Sequence, residues 1–206
     1  AARPAAEGGR GAAEGGSARC RRFVDWLRQN GVEVVVFDMD QTMSSDHCGD
    51  GLPNHRLQEY IDRASADFVE AAPVLRFGGF RLAVATGSDP AEYDLEGNSR
   101  TTHILGPDLA AELVRRRCPE ALPGLGILVG YDSRLHGDLP AERGKRHHMR
   151  RIQQHYGVPF GKMLLLDDSR ANLENEDGWR GVLVRDASVG FRFEDCLDAC
   201  APARGP

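Results

Sequence analysis

Two aspartates stand one residue apart at the end of an apolar run, in the stretch VVVFDMDQTM that covers residues 34–43. Carboxylates this close repel each other, and each raises the pKa of the other unless a positive charge lies between them. Burying such a pair at the end of a strand is costly. We therefore interpret Asp38 and Asp40 as groups arranged around a cation, with an ordinary turn after a strand as the alternative interpretation.

Further polar residues follow two other apolar runs, FRLAVA and KMLLL. They are Thr86, Gly87 and Ser88 after the first run, and Asp167 and Asp168 after the second. In a parallel sheet the carboxyl ends of the strands lie along one edge, and ligands bind beyond that edge. We expect these residues to meet the first aspartate pair there.

The expected cluster consists of carboxylates, with no histidine or cysteine at metal-ligand spacing. Three or four carboxylates around one point require a cation, and a set of oxygen ligands favours Mg²⁺. We therefore predict that Mg²⁺ binds among these carboxylates.

Strand and helix patterns alternate along the chain. Apolar, β-branched runs predict strands at 32–40, 80–88, 125–132, 162–169 and 181–186. Helical periodicity predicts helices at 17–30, 55–62, 67–77, 107–117 and 145–156, with Pro73 kinking or splitting the third. The alternation predicts an α/β fold, a three-layer Rossmann-like sandwich with a central, mostly parallel sheet.

Composition narrows the class of protein. Hydrophobic residues make up 41% of the chain and charged residues 28%, and the net charge is −5. That balance argues against nucleic acid or an anionic membrane as the main partner, and no apolar stretch approaches the roughly 20 residues of a membrane helix. Five scattered cysteines, an odd number without a CxxC pair, indicate free thiols in a reducing compartment. We expect a cytoplasmic protein.

The chain divides into three regions by composition. Residues 1–19 are rich in Ala, Gly, Arg and Glu and predict a flexible tail, residues 20–200 predict the folded domain, and residues 201–206 predict a second tail. A transit peptide for organelle import is the alternative for the first region. Transit peptides are rich in serine and poor in acidic residues, so Glu7, Glu14 and the scarcity of serine (only Ser17) count against that alternative.

Four segments, in this order, resemble the four motifs of the haloacid dehalogenase (HAD) superfamily. They are VVVFDMDQT, the strand that ends at Thr86, the isolated Lys145 at the start of a helix, and LLLDDSRAN. The spacing is most similar to that of the capless, magnesium-dependent phosphatase branch. Gln41 departs from the glycine common after the second aspartate, at a position that varies across the superfamily.

The resemblance implies hydrolysis of phosphate monoesters through an aspartyl-phosphate. Asp38 would be the nucleophile, and Asp40 would protonate the leaving oxygen and then activate water. Thr86 would donate its hydroxyl to a phosphoryl oxygen, and Lys145 would neutralise Asp38 and the transferring group.

The resemblance also implies how the metal would be bound. Asp38, the backbone carbonyl of Asp40, and Asp168 would be the ligands of Mg²⁺. The supporting residues would be Asp167, Asn172, Gly87 and Ser88.

Lys145 lies in the basic stretch ERGKRHHMRR, which could be no more than a solvated helix end. Only two of the 26 basic residues of the chain are lysines, however. A lysine here indicates a position that needs a compact ammonium instead of a guanidinium. His147, His148 and His155 on the same segment are interpreted as a solvated helix face.

The segment between Thr42 and the second strand has room for two helices and a flap, and no room for a large cap domain. Asp46 and His47 are candidates for substrate contact on that flap, and residues 89–104 are interpreted as a loop insertion. An open site suits a bulky substrate such as a phosphoprotein or a nucleic-acid end, or else an oligomer that supplies its own lid. The expected partner is a phosphorylated small molecule or a phosphoprotein, because no basic patch interleaved with aromatic residues indicates nucleic acid. A phosphotransferase, or a catalytically quiet HAD domain that binds or regulates, are the alternative functions.

Overall fold

The structure is a computed structural model that describes residues 16–49, 51–87, 101–130 and 144–198. Several predictions lie outside the described residues. They concern most of the N-terminal tail, the C-terminal tail, Ser88, most of the 89–104 insertion, and the end of the third predicted strand.

Within the described residues, seven strands form two sheets. They are β1 (Val34–Asp38), β2 (Leu52–Pro53), β3 (Arg81–Thr86), β4 (His103–Ile104), β5 (Leu125–Gly130), β6 (Met163–Asp167) and β7 (Arg180–Leu183). Five of them form a parallel sheet in the order β5-β3-β1-β6-β7, with β1 at the centre. The other two, β2 and β4, form a separate antiparallel pair.

Seven α-helices accompany these strands in the described part of the chain. They are α1 (Ala18–Gln29), α2 (Leu57–Asp62), α3 (Ala66–Phe77), α4 (Gly106–Arg117), α5 (Arg146–Tyr156), α6 (Arg170–Leu173) and α7 (Phe193–Leu197). Single 3₁₀ turns at Asn54–Arg56 and Phe160–Lys162 and a longer 3₁₀ segment at Pro119–Gly124 connect some of them.

Both faces of the parallel sheet are covered. Side chains alternate along β1, so Val35 and Phe37 enter one core and Val34 and Val36 enter the other. Helices α1, α3 and α4 contribute to the first core, and α5 contributes to the second. The prediction of a three-layer α/β sandwich with a parallel sheet is confirmed, and the cause is the continuous apolar character of the central strands.

Helix starts follow local capping chemistry. The hydroxyl of Ser17 accepts a hydrogen bond from the Cys20 N–H at 3.1 Å, and that of Ser65 accepts one from Phe68 at the same distance. The α3 helix then runs without a break to Phe77, so Pro73 does not split it. Packing of the apolar face of α3 against the sheet outweighs the hydrogen bond that proline cannot form.

The central strand is shorter than the sequence predicted. It ends at Asp38, and the chain turns away through Gln41, whose φ of 57° lies in the left-handed region. The short α6 and α7 helices and the β2–β4 pair were not predicted, since segments of two to five residues are too short to show a period.

The described cysteines, Cys20, Cys48, Cys118 and Cys196, are buried free thiols, in agreement with the prediction for them. None of the helices in the described part of the chain is long and apolar enough to cross a membrane.

Candidate active site

Three neighbouring strands end in polar residues at the same edge of the sheet. Asp38 ends β1, Thr86 ends β3 and Asp167 ends β6. The parallel register pairs Asp38 with Ala85, the residue before Thr86. The sheet therefore brings Asp38, Thr86 and Asp167 to one edge, as the sequence predicted for them.

Lys145 joins this cluster from the start of α5, where it is the N-cap residue. Its Nζ lies 2.6 Å from Oδ1 of Asp38 and 3.9 Å from Oδ2 of Asp167, and it donates to the carbonyl of Ala85 at 2.8 Å. The lysine is only 4% exposed. An ammonium so deeply buried is stable because carboxylates and a carbonyl surround it.

The backbone before Lys145 depends on glycine. Gly144 has a φ of 64°, and a Cβ at this position would lie 3.1 Å from the carbonyl oxygen of Ala171. A larger residue would be strained there in backbone conformation and also crowded. The Gly-Lys pair thus lets the chain approach the α6 segment closely while the lysine enters the cluster.

One lysine does not compensate for all the buried carboxylates. Burial raises the pKa of Asp38 to about 7, with Lys145 opposing the rise and the charge of Asp167 adding to it. Burial also raises the pKa of Asp167 and of Asp168. Burial lowers the pKa of Lys145, but the charges of Asp38 and Asp167 outweigh it and raise that pKa. Lys145 is therefore an ammonium at neutral pH.

The geometry of the carboxylates fits a divalent cation. One oxygen each of Asp38, Asp167 and Asp168 lies within 4.8 Å of the others. The donors are carboxylate oxygens, which suit a hard ion such as Mg²⁺. Asp167 belongs to this cluster together with Asp168, although it was predicted to have only a supporting role.

Asp167 is itself held by neighbouring donors. Nδ2 of Asn172 lies 2.9 Å from Oδ1 and 3.1 Å from Oδ2 of Asp167, and the Ser169 N–H donates to Oδ1 at 2.9 Å. Asn172, predicted as a supporting residue, thus orients one carboxylate of the candidate metal site.

Asp40 is surrounded by a different set of donors. The hydroxyl of Tyr60 donates to Oδ1 at 2.8 Å, while Oδ2 receives the Cys48 N–H at 3.1 Å and the Cys48 thiol at 3.3 Å. The Nδ1 atom of His47 lies 3.1 Å from Oδ2. Burial raises the pKa of the Tyr60 hydroxyl well above its usual value, so the hydroxyl remains a donor at neutral pH.

Sequence analysis missed Tyr60, because its place on the predicted helix marks it only as a buried aromatic residue. The one available signal was general: a buried tyrosine hydroxyl requires a hydrogen-bond partner.

The two predicted flap residues have different surroundings. His47 lines the cavity in front of the cluster, and its side chain is 66% exposed. Asp46 instead accepts a hydrogen bond from Nη2 of Arg56 at 2.8 Å, and its carbonyl accepts the N–H of Gln41. Asp46 is outside the cavity lining and contributes to the shape of the flap loop.

The histidines of α5 differ from their interpretation as a solvated face. His147 and His148 are buried, and only His155 is exposed. The Nε2 atom of His148 lies 2.8 Å from the carbonyl oxygen of Thr86, so this nitrogen carries the donated proton. The interpretation fails because the first turn of α5 packs against the end of β3, where Lys145 and His148 contact successive carbonyls.

A cavity of about 360 Å³ opens in front of these residues. Its lining consists of Asp38, Asp40, Gln41, His47, Gly49, Thr86, Gly87, Lys145, Asp168 and Asn172. The arrangement offers a carboxylate for nucleophilic attack, a second for proton transfer, an ammonium for charge compensation and a set of oxygens for a cation.

Comparisons with known proteins give only distant likenesses. No protein-family model matches the chain, and no curated protein sequence matches it. A hypothetical protein from Xanthomonas campestris has 15% identity and a TM-score of 0.38, over 89% of this chain and 86% of the other. A candidate HAD superfamily (subfamily III A) hydrolase from Legionella pneumophila has 14% identity and a TM-score of 0.32, over 89% and 92% of the two chains. At these TM-scores neither likeness bears on the reaction.

Proposed function

We propose that this protein is a Mg²⁺-dependent phosphomonoesterase of the HAD superfamily that acts through an aspartyl-phosphate. The observation that supports this most is the position of Asp38. Asp38 is a buried residue at the end of the central strand, and its carboxylate lies 2.6 Å from a buried lysine and beside two further carboxylates. Structural reasons alone do not favour such a costly arrangement.

In the proposed reaction Asp38 attacks phosphorus in line with the ester oxygen. The bond between phosphorus and the ester oxygen breaks as the bond to the carboxylate forms. Lys145 compensates for the charge of Asp38 and of the transferring group. Thr86 and Gly87, which line the same cavity, donate hydrogen bonds to phosphoryl oxygens.

Asp40 transfers protons in both half-reactions. It gives a proton to the departing ester oxygen, and then removes one from the water that hydrolyses the aspartyl-phosphate. Asp40 lines the cavity two residues after the nucleophile and is partly exposed, which gives it access to both proton partners.

Asp38, Asp168 and the backbone carbonyl of Asp40 would hold the ion, with Asp167 beside them. Bound Mg²⁺ supplies neutralisation of charge on the phosphoryl oxygens. The grouping of Asp38, Asp167 and Asp168, with one oxygen of each within 4.8 Å of the others, supports this assignment.

The proposed substrate is a phosphorylated small molecule or a phosphoprotein. The flap residue His47 at the mouth of the cavity is a candidate contact for the leaving group. We propose that the protein acts in the cytoplasm and that residues 20–200 form one catalytic domain with a minimal cap.

Hydrolysis of p-nitrophenyl phosphate by the purified protein tests the proposal. We expect turnover with Mg²⁺, loss of turnover with EDTA, and recovery when excess Mg²⁺ is added. The Asp38→Asn variant, purified in the same way, controls for a contaminating phosphatase. Absence of turnover across a panel of phosphate esters, in a protein that binds Mg²⁺, would instead favour the binding or regulatory alternative.

Trapping the intermediate tests the mechanism separately. After acid quench and proteolysis, the peptide that contains Asp38 should carry the mass of one phosphoryl group. If another peptide carries it, the nucleophile has been misassigned. Transfer of the group to an added alcohol in preference to water would identify a phosphotransferase.

A further inference from the structure

We propose that Tyr60 and Cys48 are positioning residues that hold the carboxylate of Asp40 in the orientation needed for proton transfer to the leaving group. We call this pair, with the Asp40 carboxylate between them, the Asp40 cradle. The inference rests on the proposed function, since it assigns a role within the same reaction.

The Asp40 cradle engages both oxygens of the carboxylate. Tyr60 donates to Oδ1 at 2.8 Å, and the Cys48 N–H donates to Oδ2 at 3.1 Å. The Cys48 thiol lies 3.3 Å from Oδ2 and also 3.3 Å from the carbonyl of Gly49, so it is shared between these two acceptors. Donors on both oxygens restrict rotation of the carboxylate as well as its position. The third neighbour, His47, is largely exposed and is therefore not part of this buried set of donors.

Tyr60 is suited to positioning because it is itself fixed. Its side chain is fully buried, and its carbonyl accepts a hydrogen bond from the Ser44 hydroxyl at 3.2 Å. The Ser45 N–H donates to the carbonyl of Arg63 at 2.9 Å, at the end of the same helix. These contacts fasten α2 to the loop that follows Asp40, so the tyrosine and the aspartate cannot move independently.

Without such support, Asp40 would be poorly ordered for its task. It lies beyond the end of β1 and immediately before Gln41, where the backbone is in the left-handed region. A residue in a turn at the edge of a cavity has freedom that must be lost when it donates a proton in a defined direction. Hydrogen bonds from buried groups remove that freedom before substrate binds.

This role predicts a dependence on the leaving group. Protonation matters most for an alkyl phosphate, whose alkoxide is a poor leaving group, and least for p-nitrophenyl phosphate. Tyr60→Phe should lower kcat/KM for an alkyl phosphate by roughly tenfold or more and that for p-nitrophenyl phosphate by less than about threefold. Using kcat/KM confines the comparison to steps up to departure of the alcohol.

Cys48 offers a graded second test. Cys48→Ala removes the thiol donor and keeps the backbone donor. It should therefore lower the ratio of kcat/KM for the alkyl phosphate to kcat/KM for p-nitrophenyl phosphate less than Tyr60→Phe does. Cys48→Ser restores a hydroxyl donor and should recover most of the loss.

Tyr156→Phe is the matched control. The Tyr156 hydroxyl donates to the carbonyl of Leu82 at 2.5 Å, near the opposite end of the sheet from the cavity. Its removal should leave the ratio between the two substrates unchanged. Equal losses on both substrates in Tyr60→Phe would show that Tyr60 is merely structural and would overturn the inference.

A crystal structure of Tyr60→Phe beside that of the wild type gives a readout that does not depend on activity. We expect the Asp40 carboxylate to have one orientation in the wild type and to be rotated, or split between two orientations, in the variant. An unchanged carboxylate would refute the Asp40 cradle even in an active enzyme. Conversely, a wild type inactive on every phosphate ester would refute the proposed function, while the carboxylate orientation would still decide the inference.

Discussion

The two aspartates of the DMD segment are held in opposite ways by two regions of the molecule. Asp38 belongs to what we call the strand-end cluster, the polar residues Asp38, Thr86 and Asp167 at the strand ends together with Lys145. Its closest partner there, Lys145, is charged, buried and 107 positions away in the chain. Asp40 lies in the loop that follows β1, where the donors Tyr60 and Cys48 are neutral and at most 20 positions away. Only one intervening residue separates these two environments.

The difference corresponds to the different tasks proposed for the two groups. A nucleophile must have a fixed position and a compensated charge, and long-range packing of the sheet against α5 provides both. A group that gives and takes protons needs access to solvent. It also needs neutral partners, because a fixed positive charge beside it would favour the ionised form and oppose protonation. The side chain of Asp40 is 17% exposed, against 9% for that of Asp38.

The largest expected effect comes from removing the proposed nucleophile. Asp38→Asn should abolish measurable turnover while the protein remains folded, because the amide is isosteric with the carboxylate and relieves repulsion with Asp167. Circular dichroism and steady-state kinetics check the two parts. Even a few per cent of wild-type kcat, with contamination excluded, would place the nucleophile elsewhere.

The next largest effect should come from Asp40→Asn, which keeps the shape of the side chain and removes its proton transfer. We expect phosphoenzyme to form in a burst with an activated aryl phosphate and then to hydrolyse slowly, with kcat reduced by about 10² to 10⁴. Rapid-quench kinetics separate the two steps. Equal slowing of both steps would mean that Asp40 is a structural residue or only a metal ligand.

Lys145 tests whether the strand-end cluster requires a compact charge. Lys145→Ala should lower kcat by about 10² to 10³, and Lys145→Arg should be nearly as damaging because a planar guanidinium does not fit the site of the ammonium. Steady-state kinetics measure both.

Arg146→Ala is the matched control for these lysine variants. Arg146 lies outside the cavity lining and pairs with Glu176 and Asp177, so its loss should cost little activity. If Arg146→Ala or Lys162→Ala lost activity while Lys145→Ala kept it, the assignment of Lys145 would be wrong.

The smallest expected effect is on stability, and it depends on pH through the ionisation of Asp38. Because burial raises the pKa of Asp38 to about 7, the metal-free folded state binds more protons than the unfolded state between about pH 4 and pH 7. The contribution of Asp38 to the free energy of unfolding is therefore present at low pH and is lost as the pH rises through about 7. In EDTA, the Tm should decrease less between pH 5 and pH 8 in Asp38→Asn than in the wild type.

Asp167, whose pKa is also raised, should account for part of the decrease that remains in that variant. Mg²⁺ should raise the Tm more at pH 8 than at pH 5, since protons compete with the ion for the same oxygens. Identical pH dependence in the two proteins would show that Asp38 ionises normally.

Much of the parallel sheet was predictable from the sequence. Apolar β-branched runs and helical spacing are local patterns, and they placed all five strands of the parallel sheet. The position of the candidate site was predictable for a topological reason, because parallel strands put their carboxyl ends on one edge. Lys145 was identified by its place among the four motifs, and the scarcity of lysine in an arginine-rich chain supported that assignment.

The surroundings of these residues were decided by tertiary packing. The contact of His148 with the carbonyl of Thr86 joins positions 62 apart, and the solvated-face interpretation failed because a helical period does not state which side meets another element. The continuity of α3 through Pro73 likewise depends on burial against the sheet and not on local propensity.

The sequence by itself determined the types of reactive group, which are read directly from the residues. It also determined the edge of the sheet where they meet, because that edge follows from strand period and parallel topology. Only the tertiary structure decided the geometry by which these groups are compensated and oriented: Lys145 lies 2.6 Å from Asp38, Asn172 holds Asp167, and Tyr60 donates to Asp40. Hydrogen bonds and ion pairs form or fail over a few tenths of an ångström. That precision comes from the packing of whole elements, which the spacing of residues along the chain does not specify.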